Sequence, residues 1–447
     1  MCPKRQSSIR LTTLPYTCED PPCPVISRRV ERPNAIGAKD AIDVVIAWVD
    51  GRDRNHRAKR RRYLADPGGD ARPERTATDD RRFSDNDEIR FCLRSIRNYA
   101  PWVRTIWLVT DDQVPAAIDR ATAEQENIRI VDHREIFRGY EQLLPTFNSR
   151  AIETMLWRIE GLADRFVYLN DDMMFVGPVE PTDFFSHEGK VILRGRWSNW
   201  QEQLERGNSF NGGGKLLGAE MLGYTPELFF SSNHMNYPML RPAMEELFEE
   251  FRPAFLTNAA YRFRNRKQFW PISAHDHLLL NSGRARVAKP RNSAHFSVRY
   301  CLTASPDALE ARLKQLADGT TRFACINYLE AVIAKVPDAM SYLSTATGPA
   351  APFEKPRTEA YASRPRKRPF AGLGSTLVES VRDMFAKRAN GRDEKPASGV
   401  SSAAGAHSAD GANLAADSSS AAGYPAVRVV RQRGMATSGR DELTPTG

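Results

Sequence analysis

Three short, nearly unbroken apolar runs constrain this chain more than any other feature. They lie at residues 43–49, 105–110 and 165–170, and each is rich in β-branched and aromatic side chains. Runs this short and this apolar read as strands buried on both faces of a parallel sheet. Between the first two, Ile89, Cys92, Leu93, Ile96 and Tyr99 recur at helical spacing, with Ser84 or Asp85 available as N-cap and Pro101 at the exit. Ahead of the third, Ala151, Ile152, Met155, Leu156 and Ile159 repeat the pattern, led by Asn148 and Ser149 and ended near Gly161. The alternation predicts an α/β fold: an open, mostly parallel sheet with flanking helices, its ligand crevice beyond the carboxyl ends of the strands. All three runs end in or lead straight into polar or acidic residues, so the acidic strand ends fall where chemistry would occur.

The rest of the chain divides by composition. Residues 1–40 are rich in Pro, Arg and Ser, and Pro21, Pro22 and Pro24 withhold backbone donors, which predicts a disordered arm. Residues 41–335 form the expected folded body, with further helices at 242–250 and 306–317, the latter started by Ser305 and Pro306. Residues 336–447 read as a low-complexity tail, largely disordered because 397–423 is dominated by Ala, Ser and Gly. Within the tail, Leu373, Leu377, Val381, Met384 and Phe385 follow the basic stretch 364–368, a pattern for a basic amphipathic helix over 371–388. Such a helix can lie on an anionic membrane surface or dock on the body.

Several classes are disfavoured. The longest apolar stretch, 42–49, is far below the ~18–20 residues that cross a bilayer, and the first 24 residues lack a continuous apolar segment of signal-peptide type. A cytoplasmic location is expected. The six cysteines form no Cys-x-x-Cys pair, against a structural zinc site. More than half of the +9 formal charge belongs to residues 351–447, which hold 15 Lys/Arg against 10 Asp/Glu, and the body interleaves both signs. Nucleic acid is therefore not an expected partner.

The strongest chemical signal is Asp171 and Asp172, adjacent carboxylates at the end of the third apolar run, followed by Met173, Met174 and Phe175. Neighbouring acids repel, and their oxygens suit Mg²⁺ or Mn²⁺; a solvated turn is the plain alternative. Trp48, Asp50 and Gly51 end the first run, the glycine permitting close backbone approach to a ligand. Asp85, Asn86, Asp87 and Glu88 put three acids at a helix start, more than capping requires. His234 sits in a polar, loop-like setting and is a possible proton carrier, or a packing histidine. Arg262, Arg264 and Arg266 would share one face of an extended segment and match phosphate oxygens. His275 and His277 flank Asp276 as ligands or mere neighbours, and residues 212–215 (three glycines and Lys215) read as a flexible loop, a candidate lid.

Taken together these blocks resemble the Stealth family of sugar-1-phosphate transferases, which includes bacterial capsule and exopolysaccharide phosphotransferases and the animal enzyme that tags lysosomal proteins. The resemblance covers roughly residues 42–330. Its first block is 42–51, and its second is 83–90 continuing through Arg94, Ser95, Ile96, Tyr99, Pro101 and Thr110, then 144–149, 151–153 and 168–172. The third block is 234–238 with 261–264. Tyr237 stands where some members carry a second histidine. The fourth, 323–328, resembles a Cys-Ile-Asn-Asp string with Tyr328 in place of its last acid.

The resemblance implies transfer of a hexose 1-phosphate, such as N-acetylglucosamine 1-phosphate, from a nucleotide diphosphate sugar to a hydroxyl of an acceptor glycan. It implies a GT-A-like nucleotide-sugar transferase core. Asp171 and Asp172 would hold Mg²⁺ or Mn²⁺ on the donor diphosphate, with Glu153 supporting the metal or a substrate hydroxyl. Arg262 and Arg264 would stabilise the transferring phosphoryl. Asp50, Asp85 or His234 would take the acceptor's proton, His234 first. Trp48, Gly51, Asn86, Asp87, Glu88, Arg94, Asn148 and Ser149 are expected to line the substrate site. A lipid-linked acceptor at the inner membrane face would suit the basic tail. The rivals are a glycosyltransferase attacking the anomeric carbon and an inactive glycan- or nucleic-acid-binding relative.

Overall fold

A computed structural model describes residues 41–357, except 66–72, 74–76, 206–208 and 290–291. The arm 1–40, the stretch 397–423 and the helix expected over 371–388 lie outside the described residues. So does any membrane contact resting on that helix. No helix among the described residues is long and apolar enough to cross a membrane.

Among the described residues the strands are β1 (Ile42–Ala47), β2 (Ile106–Thr110), β3 (Ile128–Asp132), β4 (Arg165–Asn170), β5 (Met173–Phe175), β6 (Val191–Ser198), β7 (Phe229–Ser232), β8 (Tyr237–Leu240), β9 (Ala285–Ala288), β10 (Ser293–Phe296) and β11 (Phe323–Ile326). The central sheet has the order β3-β2-β1-β4-β8, parallel except for β8, which runs antiparallel to β4. The α/β expectation holds: β1 lies between β2 and β4, and Val44, Val45 and Ile46 are fully buried, which is why the run carries no alternation. Helices Glu88–Tyr99 and Ser149–Met155 occupy the expected positions, the second capped by the Asn148 side chain. Two three-stranded sheets, β10-β11-β5 and β7-β6-β9, extend the body.

The amino end of the central sheet is closed by a buried carboxylate. Asp43 accepts hydrogen bonds from Arg104 Nε (2.8 Å), Trp107 Nε1 (2.9 Å) and the Ala163 amide (2.9 Å), so its charge is paired and its oxygens are filled.

The folded body does not stop at residue 335. Helix Ala339–Ala346 packs in the second apolar core with Leu309, Leu313, Leu329 and Val332, and Phe353 is fully buried. Glu354 accepts from Arg94 Nε (2.7 Å) and Arg90 Nη1 (3.3 Å), fastening this segment to helix Glu88–Tyr99. Helix Ala339–Ala346 lies against the preceding helix Leu329–Lys335, but the bonds of Glu354 reach residues some 260 positions away, which composition does not register.

Candidate active site

Asp171 and Asp172 occupy the turn between β4 and β5, at the carboxyl end of β4, where Asn170 pairs with Ala47 of β1. The short β5 then pairs antiparallel with β11, and this register brings residues 325–327 beside the turn. The Ile326 amide donates to the Asp172 carbonyl (2.9 Å), and Asn327 Nδ2 donates to Asp172 Oδ2 (2.8 Å). Asp172 Oδ1 is buried without a hydrogen-bond partner. Ligand atoms of Asp172, His234 and Cys325 lie within 4.8 Å of one another.

Charge is concentrated here. Burial, then Asp172, Glu88 and Asp85, push the Asp171 carboxyl well above the usual carboxylate range. Burial and Asp85 push Glu88 up to about 8. A divalent cation among these oxygens would remove that penalty, and the orphaned Asp172 Oδ1 is where one more ligand is wanted. The residues thus fit Mg²⁺ or Mn²⁺. Burial holds the Cys325 thiol well above its ordinary pKa, so it is a neutral neighbour and a poor partner for a hard cation.

His234 follows β7. Its Nδ1 lies 2.8 Å from the Tyr237 hydroxyl, and its ring centre lies 5.6 Å from that of His295. His295 Nε2 in turn lies 2.5 Å from Asn327 Oδ1, so the imidazoles, the amide and Asp172 form one chain of contacts. Burial lowers the His234 pKa to about 4, opposed by Asp172, which leaves a neutral imidazole near neutral pH. The segment is not a loop throughout: Tyr237 opens β8 and pairs with Tyr168 of β4, their rings 6.1 Å apart.

Glu153, on helix Ser149–Met155, is buried; it accepts from Trp270 Nε1 (2.9 Å) and the Tyr168 hydroxyl (3.3 Å). Burial raises its pKa to about 7 against the pull of Arg264 and Arg150. Arg264 donates to Ser149 Oγ (2.6 Å) and faces Arg82 and Arg150 electrostatically. Burial and then Arg264 lower Arg82 to about 10 and Arg150 to about 9. Three crowded guanidiniums make a place that an anion would stabilise.

The arginines 262, 264 and 266 do not share a face. The segment turns at 265–268, where the Asn265 carbonyl accepts from the Gln268 amide (3.2 Å) and Asn265 Oδ1 from the Lys267 amide (2.9 Å), and the Phe147 amide donates to the Arg262 carbonyl (2.8 Å). Arg262 lies over the Tyr63 ring (4.7 Å) and Arg266 over Phe210 (5.4 Å), and Arg264 alone of the three bonds to Ser149.

Other expected residues fall into two groups. Asp50 and Asp85 stay near the acidic cluster: Arg52 Nε lies 3.4 Å from Asp50 Oδ1 and its Nη2 3.8 Å from Asp85 Oδ2. Asn86 Nδ2 donates to Glu88 (3.1 Å). The remainder are occupied in the scaffold. Trp48 is buried in the main core. Gly51 makes its close approach to Phe83, whose carbonyl accepts from its amide at 2.7 Å, and not to an open ligand space. Asp87 is the left-handed N-cap of helix Glu88–Tyr99 (φ 76°) and pairs with Arg90 (2.7 Å). Arg94 is spent on Glu354 and Ser344. Asn148 Nδ2 donates to the Tyr261 carbonyl (2.8 Å) and Gln268 Oε1 (2.9 Å).

His275 and His277 are buried, and their Nε2 atoms accept from the Leu240 and Phe230 amides, each at 3.0 Å. The glycine run is not a loop. It lies in helix Ser209–Glu220, where a Cβ on Gly214 would sit 2.6 Å from the Arg150 guanidinium. Lys215 is held by Ser231 Oγ (3.1 Å) and the Ser232 carbonyl (2.6 Å).

Asn327, His295, Tyr237, Arg82 and Arg150 join the site without having been expected there. Tyr237 and Asn327 lie inside the third and fourth blocks of the resemblance, where a tyrosine and an amide carry no charge signal of their own; Arg150 directly follows Ser149.

Models of Stealth protein conserved region 1 and conserved region 2 match residues 40–67 and 82–193. The chain is 36% identical over 301 residues to the exopolysaccharide phosphotransferase SCO6021 of Streptomyces coelicolor, covering 64% of this chain and 51% of that protein. It is 30% identical over 321 residues to the receptor polysaccharide phosphotransferase WefC of Streptococcus oralis, covering 64% of this chain and 90% of that one. It therefore spans about half the length of the first relative and nine-tenths of the second. A solved structure of the galactosyltransferase LgtC aligns at 13% identity and a TM-score of 0.36, over 72% of this chain and 99% of that chain. With both conserved regions matched and nine-tenths of the streptococcal relative covered, the chain belongs to the Stealth family.

Proposed function

We propose that the chain transfers a hexose 1-phosphate from a nucleotide diphosphate sugar to a hydroxyl of an acceptor glycan. The observation that carries this is the turn 171–172: a carboxylate with one oxygen held by Asn327 and the other unpaired, within ligand distance of a neutral imidazole. Asp171 and Asp172 would hold Mg²⁺ or Mn²⁺ on the donor diphosphate, and such a cation when bound neutralises the charge that develops on the nucleoside monophosphate leaving group. Arg264 would take the oxygens of the transferring phosphoryl, with Arg150 and Arg82 adding field behind it. Phosphoryl transfer depends mainly on such positioning and electrostatics.

In this reading the acceptor oxygen forms a bond to the phosphorus that bears the sugar. The bond from that phosphorus to the bridging oxygen breaks, and a nucleoside monophosphate leaves. With Nδ1–H donated to the Tyr237 oxygen, His234 keeps the Nε2 lone pair for the acceptor's proton. Asp50 and Asp85, linked through Arg52, would hold the margin of the acidic cluster. Glu153, anchored by Trp270 and Tyr168, would set the angle of the helix that presents Ser149 and Arg150.

The test is incubation with uridine, guanosine and cytidine diphosphate sugars and candidate glycans, with and without Mg²⁺ or Mn²⁺, scoring the nucleotide released. A monophosphate together with a phosphodiester product is the expected result. A nucleoside diphosphate would mean attack at the anomeric carbon and overturn the proposal; binding with no turnover under any metal would make the chain an inactive relative.

A further inference from the structure

A second basic site lies beside the one described and plays no part in the reaction above. A cleft of about 640 Å³ is lined by Arg194, Arg286, Lys289 and Arg322, with Asp183 and Phe323 among its walls. That volume is in the range of small-ligand sites. Two of its cations are fixed: Arg322 Nη1 donates to Asp183 Oδ1 (3.1 Å), and Arg194 donates to the Asp183 carbonyl. Both guanidiniums also lie against the Phe323 ring, at 5.6 Å and 5.9 Å. The other two, on and just after β9, are exposed and have no carboxylate partner among the described residues. Four cations around one carboxylate leave an excess of positive charge in a walled cleft, where field lines concentrate and an anion is held.

Its position says what the anion belongs to. Phe323 precedes Cys325 by two residues of β11, about 7 Å along the strand at its usual rise. The Arg194 carbonyl accepts from the amide of Asn233 (3.0 Å), the residue before His234. Arg194 lines both this cleft and the small pocket bounded by Asn233, Met235 and Tyr237, which links the cleft to the segment that carries His234, while the cleft's cations are distinct from Arg264, Arg150 and Arg82. A ligand spanning both places would bring an anionic group into the cleft and a hydroxyl to His234.

We infer that this cleft is an acceptor subsite that binds a phosphate group carried by the acceptor. The inference rests on the proposed transferase reading, whose product is itself a phosphodiester. A phosphate within the glycan and the diphosphate of a carrier lipid have the same chemistry here. The test is calorimetric binding to the full chain of four probes: a disaccharide joined by a phosphodiester, its phosphate-free counterpart, geranyl diphosphate and geraniol.

The unaltered chain should bind at least one phosphorylated probe tenfold or more tighter than its neutral counterpart. The preference should vanish in Arg286→Glu/Lys289→Glu and persist in Arg264→Ala. Whichever probe loses more identifies the source of the phosphate. The milder Arg286→Gln/Lys289→Gln pair should show the same direction if charge reversal prevents folding. No preference for phosphate, or a preference that survives both cleft variants and disappears in Arg264→Ala, overturns the subsite. Nucleotide-sugar turnover measured on the same samples separates the two proposals: transfer without cleft dependence removes only the subsite, and cleft dependence without transfer removes only the proposed activity.

Discussion

The two ends of the central sheet treat buried carboxylates in opposite ways. At the amino end, Asp43 is paired with Arg104 and also satisfied by Trp107 and the Ala163 amide. At the carboxyl end, Asp171 is crowded by Asp172, Glu88 and Asp85, and Asp172 keeps one oxygen unpaired. A paired, filled carboxylate fastens strands together. A crowded, unfilled one destabilises the empty protein and creates affinity for a cation, so the same residue type is scaffold at one end and site at the other.

The widest separation between the ends should come from removing one acid at each. Asp172→Ala should lower turnover by at least ~10²-fold, the scale of one charge-stabilising contact, while the melting temperature of the metal-free protein holds or rises. Asp43→Ala should do the reverse, losing about 3 kcal/mol of stability as a broken buried pair does, with specific activity of the remaining folded protein preserved. Denaturant melts and steady-state rates on both variants decide the matter; a stable Asp43→Ala would erase the distinction.

A smaller effect tests the split of the arginines. Arg264→Ala should cut turnover by about 10–100-fold, as loss of one charge-assisted contact to the transferring group would. Arg262→Ala, which removes a guanidinium stacked on Tyr63, should stay within a few-fold of the parent. Equal losses would put Arg262 back beside the phosphoryl.

The smallest effect is a pH dependence at the carboxyl end. Burial and Asp85 raise Glu88 from an ordinary carboxylate value of 4.5 to about 8 in the folded chain. The folded state therefore holds an extra proton between those values, and stability from this group, full below pH ~4.5, is lost as pH rises toward ~8. Several buried histidines act oppositely, so the readout is a difference. Metal-free Glu88→Gln should gain stability relative to the parent as pH rises through that window, and saturating Mg²⁺ or Mn²⁺ should shrink the gain. A difference that is flat with pH would place Glu88 outside the shared acidic cluster.

Legibility followed the same physical lines. β1, β2 and β4 were readable because a strand buried on both faces must be apolar throughout, and the acids after them stood out against that background. β8 was not, since Pro238 cannot donate to a ladder and its stretch reads as loop; it is tolerated because β8 is an edge strand. The segment 261–267 misled because alternation suggests extension, whereas its backbone is turned by bonds to Phe147 and Gln268 that are distant or non-periodic in sequence. The glycine run misled in the opposite sense: Gly212 and Gly214 make room for Gln203 and Arg150 against a helix. Residues 336–357 were assigned to the tail because their order depends on Glu354 reaching Arg90 and Arg94, some 260 positions away.

By itself the sequence determined the layered α/β core, the positions of its principal strands and helices, the acids at strand ends and the family. Those follow from local periodicity and from strings of residues in fixed order. Only the tertiary structure decided that Asn327 completes the Asp172 carboxylate, that the Tyr237 hydroxyl and the His295 ring both meet His234, and that one arginine of three joins Arg82 and Arg150. Each of these depends on strand register or a turned backbone, which bring together side chains whose separation along the chain carries no signal of their separation in space.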